Sequence, residues 1–106
     1  MPKYLFEISY TVEGIKGVAE LGGTARKEVA ETAAKSVGGS VEAFYFAFGA
    51  TDVFCIMDLP DNKAATAVAL TVSASGAATA RTVVLLTPED VDATIGFDVE
   101  YHPPGR

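Results

Sequence analysis

The sequence has few of the residues on which metal sites and common enzyme sites depend. Among its 106 residues there is one cysteine, Cys55, and one histidine, His102. A single cysteine excludes an intrachain disulfide, and no spacing of histidine, cysteine and carboxylate residues suits zinc or iron. The chain also lacks a phosphate-binding loop, a dinucleotide-binding glycine motif and a serine or cysteine nucleophile set. We therefore expect no metal site and no cofactor, and we interpret Cys55 as an inert core thiol.

Basic residues are also scarce. The chain has 8 lysines and arginines against 14 acids, and its net charge is −6. Nucleic acids and anionic membranes bind basic surfaces, so we expect neither as a partner. After Arg81 there are five acids and only Arg106 to balance them, which we attribute to a need for solubility.

Apolar runs of the length and position that a signal peptide or a transmembrane helix needs are missing as well. Glu7 interrupts the apolar stretch near the start of the sequence, so we expect no signal peptide and a cytoplasmic protein. Residues 64–80 contain no charge, but small polar residues dilute this segment too far for a transmembrane helix. We expect instead a helix of small residues that is packed closely on both sides.

Apolar residues make up 49% of the chain, and residues 44–59 are almost entirely apolar. Two runs of strand-forming residues flank residues 49–52, which predicts a β-hairpin with strands at about 41–48 and 52–59. Both faces of this hairpin are apolar, so a sheet left half open would expose a large aromatic patch. We therefore predict a homodimer with facing sheets, of the dimeric α/β-barrel type, with a trimer as the alternative.

Periodicity and capping signals predict the remaining elements. In chain order these are a strand at 3–11, a helix from Glu13 capped by Thr11 and broken at Gly22-Gly23, a helix after Asp61, a strand at 82–87, and a short helix from Thr87 to Gly96. Within the first helical region, Val29, Ala33 and Val37 are predicted to form a buried stripe, and Lys27, Glu31 and Lys35 a solvated row.

The element order β-α-β-β-α-β predicts an α+β, ferredoxin-like fold. Right-handed crossovers place both main helices on one face of a four-stranded antiparallel sheet, with strands one and three in the centre. We expect residues 1–96 to form this domain and residues 97–106 to form a tail. Residues 97–101 alternate in polarity, which predicts a short strand that packs on a sheet edge or on another subunit.

Five residues are candidates for a ligand-binding site. Charged groups in otherwise apolar strands cost stability unless they are used or paired, which singles out Glu7, Asp52 and Arg81. Tyr10 and Tyr45 are predicted to lie near them in the same pocket. The alternative is structural: Asp52 stabilises the hairpin turn, and Arg81 pairs with Asp52, with Glu7 or with Asp58.

The chain resembles the GYD-domain family over about residues 2–94. The resemblance lies in five matched stretches: Tyr10-Thr11 with residues 13–16, Phe44-Tyr45, residues 49–52, residues 58–61, and Arg81-Thr82. It implies a ferredoxin-like fold and makes residues 1–96 a GYD-type domain, but it implies no catalytic mechanism. At the motif that names the family, Thr51 stands where the family has tyrosine.

Three functions fit these observations. The first is a homo-oligomeric module that binds or senses a small molecule, held between sheet and helices or at the subunit contact. The second is a cofactor-free enzyme of the dimeric α/β-barrel type, a monooxygenase or isomerase acting on aromatic or polyketide-like compounds. It would need Asp52, Glu7 or a tyrosine in its pocket. The third is a purely structural oligomer.

Overall fold

The fold is taken from a computed structural model, which describes residues 1–105. It contains four strands and four helices within those residues, in the order that the sequence predicts. The elements are β1 (Lys3–Tyr10), α1 (Val12–Leu21), α2 (Gly23–Ser36), β2 (Ser40–Phe46), β3 (Val53–Asp58), α3 (Asn62–Ala74), β4 (Ala78–Leu85) and α4 (Pro88–Asp92).

The four strands form one antiparallel sheet in the order β2-β3-β1-β4. The central position of β1 and β3 confirms the predicted ferredoxin-like topology. Phe6 of β1 lies between Cys55 of β3 and Thr82 of β4 in the register. A bulge between Val41 and Ala43 shifts the register of β2 against β3.

One face of the sheet, which we call the helix face, packs against the helices and forms the core. Alternate residues of β1 and β3 point to it because side chains along a strand alternate between faces. Tyr4 of β1 is buried, and its hydroxyl donates a hydrogen bond to Asn62 Oδ1 at 2.7 Å, which joins β1 to the start of α3. The buried core residues are Tyr4, Phe6, Ala34, Val53, Cys55, Met57, Leu59, Ala65 and Val68.

The capping and breaking signals act as predicted. Thr11 caps α1 by accepting a hydrogen bond from the Gly14 backbone, and Asp61 caps α3 by accepting one from Ala64. Gly22 separates α1 from α2 and has a φ of 87°, a left-handed conformation that glycine adopts without a steric cost. Thr87 and Asp90 form a reciprocal capping box at the start of α4.

The buried stripe predicted for α2 is wrong, because the buried side of this helix lies a fraction of a turn away from the predicted residues. Val29 is half exposed, Ala33 and Val37 are intermediate, and the buried residue of this helix is Ala34. The stripe that faces the sheet therefore runs through Ala30 and Ala34, spaced four residues apart. Lys27, Glu31 and Lys35 are solvent-exposed, as predicted.

Two boundaries late in the chain also differ from the predictions. β4 begins at Ala78 rather than Thr82, because Ala78 and Ala80 pair with Tyr10 and Ile8 of β1. Pairing with the sheet thus overrides the helical preference of alanine. As a consequence α3 ends at Ala74. In the single chain only one side of this helix is packed, since Leu70 on the other side is 65% exposed.

The last part of the chain projects from the domain as an arm, which we define as residues 86–105. α4 ends at Asp92 rather than near Gly96, and residues 97–101 form no strand, contrary to the prediction. An edge of the chain's own sheet is therefore not their partner. The radius of gyration is 16.8 Å, against about 13 Å for a compact domain of this size.

Within the described residues, no helix combines the length and the apolar composition that crossing a membrane would take.

Candidate functional site

A narrow cleft lies between α2 and α3 on the helix face of the sheet. Its volume is about 60 Å³. For comparison, an apolar cavity of about 150 Å³ holds benzene, so this cleft takes only a few atoms. The lining is apolar apart from one arginine and one phenol, and consists of Phe6, Ile8, Tyr10, Arg26, Val29, Ala30, Ala33, Phe44, Met57, Val68, Val72, Ala78 and Ala80.

Among the described residues, Arg26 supplies the only positive charge in this cleft lining. It lies in the first turn of α2, and its Cζ is 5.8 Å from the centroid of the Tyr10 ring, a cation–π arrangement. Its Nε is shut off from solvent and has no hydrogen-bond partner among the described residues. Among the described residues no acid lines the cleft, so the charge of Arg26 has no partner in the cleft lining.

Asp52 is used structurally. Its Oδ2 accepts a hydrogen bond from the Tyr10 backbone at 2.8 Å, and its own backbone N–H donates to Ile8 at 2.9 Å. Its carbonyl accepts from Ala47 at 2.9 Å, which closes the hairpin. Asp52 therefore ties the hairpin loop to the end of β1, and its carboxylate extends the ladder beyond the last paired residues.

Glu7, Arg81 and Tyr45 lie on the opposite side of the sheet, which we call the open face. Glu7 is paired in register with Arg81 on one side and with Phe54 on the other, and Tyr45 follows next to Phe54. Among the described residues Arg81 forms no ion pair within 4.0 Å. The five candidates thus occupy three places: Tyr10 in the cleft, Asp52 at the strand end, and the other three on the open face.

The middle of the open face is apolar, with the polar pair Ser9 and Thr79 towards one end and a charged cluster at the other. Leu5, Ile56 and Val83 lie side by side in the register, and Phe54 is 38% exposed. At the end of the face, Lys3 Nζ lies 2.7 Å from Glu42 and 2.8 Å from Asp58. This cluster joins β1, β2 and β3, and its hydrogen bonds raise the pKa of Lys3.

A family model for the GYD domain matches residues 4–95. This chain belongs to the GYD family. It matches no curated protein and no solved structure.

Because the chain belongs to the GYD family, the geometry of Asp52 bears on the motif that names the family. In this GYD domain the aspartate of the name-giving motif has a structural role, since it holds the hairpin against β1. Thr51, which replaces the family tyrosine, precedes it at the end of the hairpin loop. The motif is therefore not part of the cleft, and the ligand-binding role of Asp52, Glu7, Arg81 and Tyr45 stays a prediction.

Sequence reasoning missed Arg26, although the sequence contains a signal for it. Arg26, Ala30 and Ala33 are spaced four and three residues apart, as residues on one face of a helix are. The predicted stripe of Val29, Ala33 and Val37 shared only Ala33 with this face and left out Arg26 and Ala30. The spacing of one arginine with two alanines on the same helix face would have indicated that this charge lies towards the sheet.

Cys55 offers no reactive group. It is fully buried on β3, and this burial raises the pKa of its thiol to about 11. A thiol with that pKa is almost entirely un-ionised at neutral pH and is a poor nucleophile. Within residues 1–105 no cluster of three or more histidine, cysteine or acidic side chains is arranged to hold a metal ion.

Proposed function

We propose that this GYD domain is a homo-oligomeric module that binds or senses a small molecule in the cleft between its sheet and helices. The observation that supports it best is the cleft itself, which combines apolar walls with one unmatched polar donor. Ligand sites in proteins commonly have this composition, with few polar groups that fix orientation. A fully packed core would have no such gap.

The cleft supports binding better than catalysis. The enzyme hypothesis needs Asp52, Glu7 or a tyrosine in the pocket. Asp52 bonds to the backbone of β1 outside the cleft, and Glu7 is on the other side of the sheet. Tyr10 is present, but no acid or histidine lies in the cleft lining to act as its proton-transfer partner.

A second copy of the chain is the proposed cover for the open face. Its apolar strip of Leu5, Ile56 and Val83 crosses three strands, and Phe54 extends it. Glu7 and Arg81 lie side by side there. A twofold axis that runs between these two residues would set the Glu7 of each copy against the Arg81 of the other, which makes the surface complementary to itself for that arrangement.

The arm supports the same assembly. Its large apolar side chains are exposed in the single chain, at 74% for Phe97, 77% for Val99 and 70% for Tyr101. Exposed apolar surface on this scale is typical of an interface. We include a cytoplasmic location in the proposal, since a small domain without an intrachain disulfide fits a reducing compartment.

Native mass spectrometry of protein purified from its own host tests the proposal. We expect an oligomer that carries additional non-covalent mass. Ala30→Leu places a larger side chain in the cleft and should remove that mass. Ala67→Leu, a change of the same size at an exposed position of α3, should keep it. An oligomer without bound mass would favour the purely structural hypothesis, and mass retained by Ala30→Leu would exclude the cleft as the site.

A further inference from the structure

We propose that the cleft selects a short aliphatic carboxylate, whose charged end pairs with Arg26 while its alkyl chain enters the apolar space. This inference rests on the proposed function, because it names the ligand class for the same site.

The polarity of the site comes from one group. Arg26 has a buried Nε without a partner, and the cleft lining contains no acid that could balance its charge. A buried donor that lacks an acceptor costs free energy in the unliganded protein. A carboxylate removes that cost, because it accepts from Nε and a terminal nitrogen of the guanidinium at once, in the geometry that arginine prefers.

The position of Arg26 allows this pairing. Its side chain is partly accessible, so a ligand can approach the guanidinium from solvent, and the same side chain lines the cleft. Tyr10 packs against the guanidinium at 5.8 Å and restrains it. Half-exposed Val29 is the lining residue with the most contact with water and marks the mouth.

The size of the cleft sets the length of the alkyl chain. The volume of about 60 Å³ is less than half of the roughly 150 Å³ that admits benzene. A linear chain of a few carbons fits such a space, whereas an aromatic ring requires the walls to move. We therefore expect butyrate to bind more tightly than benzoate.

Nuclear magnetic resonance on the full-length protein tests this, with butyrate and its neutral isostere butyramide as probes at constant ionic strength. The Nε–H signal of Arg26, assigned by its disappearance in Arg26→Lys, reports directly on the pairing. We expect butyrate to shift this signal and to bind at least about tenfold more tightly than butyramide, since a charge-assisted hydrogen bond is stronger than a neutral one.

Two variants with the same change in net charge separate pairing from general electrostatics. Arg26→Met should weaken butyrate binding about tenfold to one-hundredfold. Lys27→Met, one position away and solvent-exposed, should leave it within about twofold. If Arg26→Met does not fold, the comparison of acid with amide and the Nε–H signal still decide the matter.

The failures of the two proposals are distinguishable. Equal binding of butyrate and butyramide in the cleft, or equal losses in both methionine variants, would overturn carboxylate selection but leave the binding module intact. Absence of any shift at cleft residues with these probes would overturn the ligand class. Only if protein from its own host also carried no bound mass would the proposed function fall with it.

Discussion

Replacing Asp52 by alanine should destabilise the domain, because its carboxylate ties the hairpin loop to the end of β1. The change removes the acceptor of the Tyr10 N–H, which now receives a hydrogen bond at 2.8 Å in a partly buried position. Leaving a backbone donor without a partner costs about 1–3 kcal/mol. Because about 1 kcal/mol lowers Tm by roughly 4–8 °C in a domain of this size, a clear shift in thermal unfolding is expected. Asp52→Asn keeps an acceptor oxygen and should lose less than half as much.

Chemical denaturation followed by circular dichroism measures these differences, and Asp92→Ala controls for the loss of one negative charge at an exposed position. Arg81→Met, alone and combined with Asp52→Asn, tests the alternative of a buried ion-pair network. Since Arg81 has no ion pair among the described residues, the two changes should add to within about 0.5 kcal/mol. Stability unchanged in Asp52→Ala, or strong coupling in the double variant, would refute the structural role given to Asp52.

Three further predictions concern the open face, the arm and the core. Phe54→Glu should raise the dissociation constant of the oligomer more than about tenfold in sedimentation at micromolar concentration, because an unpaired charge buried in an interface costs about 3–5 kcal/mol. Leu70→Glu, on the outer side of α3, should not raise it. A wild-type chain that sediments as a monomer would contradict the assembly. Deleting the residues after Gly96 should weaken the oligomer, and an unchanged oligomer and Tm would show that the arm has no role in it. Because burial raises the pKa of Cys55 to about 11, the thiol stays protonated in the folded state at pH values where it ionises in the unfolded state. The free energy of unfolding should therefore fall as pH rises from about 9 to about 11, by up to about 1.4 kcal/mol per pH unit. Cys55→Ala should lack this part of the decline.

The topology of the domain could be predicted because its signals are local. Alternation over 3–11, the glycines at 22 and 23, and the capping residues Asp61 and Thr87 each act within a few positions of themselves. Their order then leaves few ways to arrange a sheet with right-handed crossovers. The family resemblance pointed to the same fold.

The predictions that failed concern features that depend on contacts between residues far apart in the sequence. Nothing near Ala78 indicates a strand, since β4 exists there because Tyr10 and Ile8 offer a partner across the sheet. The candidate residues lie in three places: the cleft, the strand end and the open face. Which of these places a residue occupies depends on the register of its strand and on the side of the sheet that its position faces. Whether a charged residue points into the cleft or away from it is therefore not readable from composition alone, as Arg26 and Glu7 show.

The central position of β1 has a consequence for how the protein is made. β1 is synthesised first, yet its two neighbours in the sheet are β3 and β4. Residues 11–52 separate it from β3, which takes about 2–8 s of translation at roughly 5–20 residues per second, and β4 comes later still. Throughout that interval both edges of β1 are unpaired, and the β2–β3 hairpin can form only after residue 58 has been synthesised. A chain that ends before Ala78 lacks β4, so one edge of the central strand β1 keeps unpaired backbone groups to which another chain could bind.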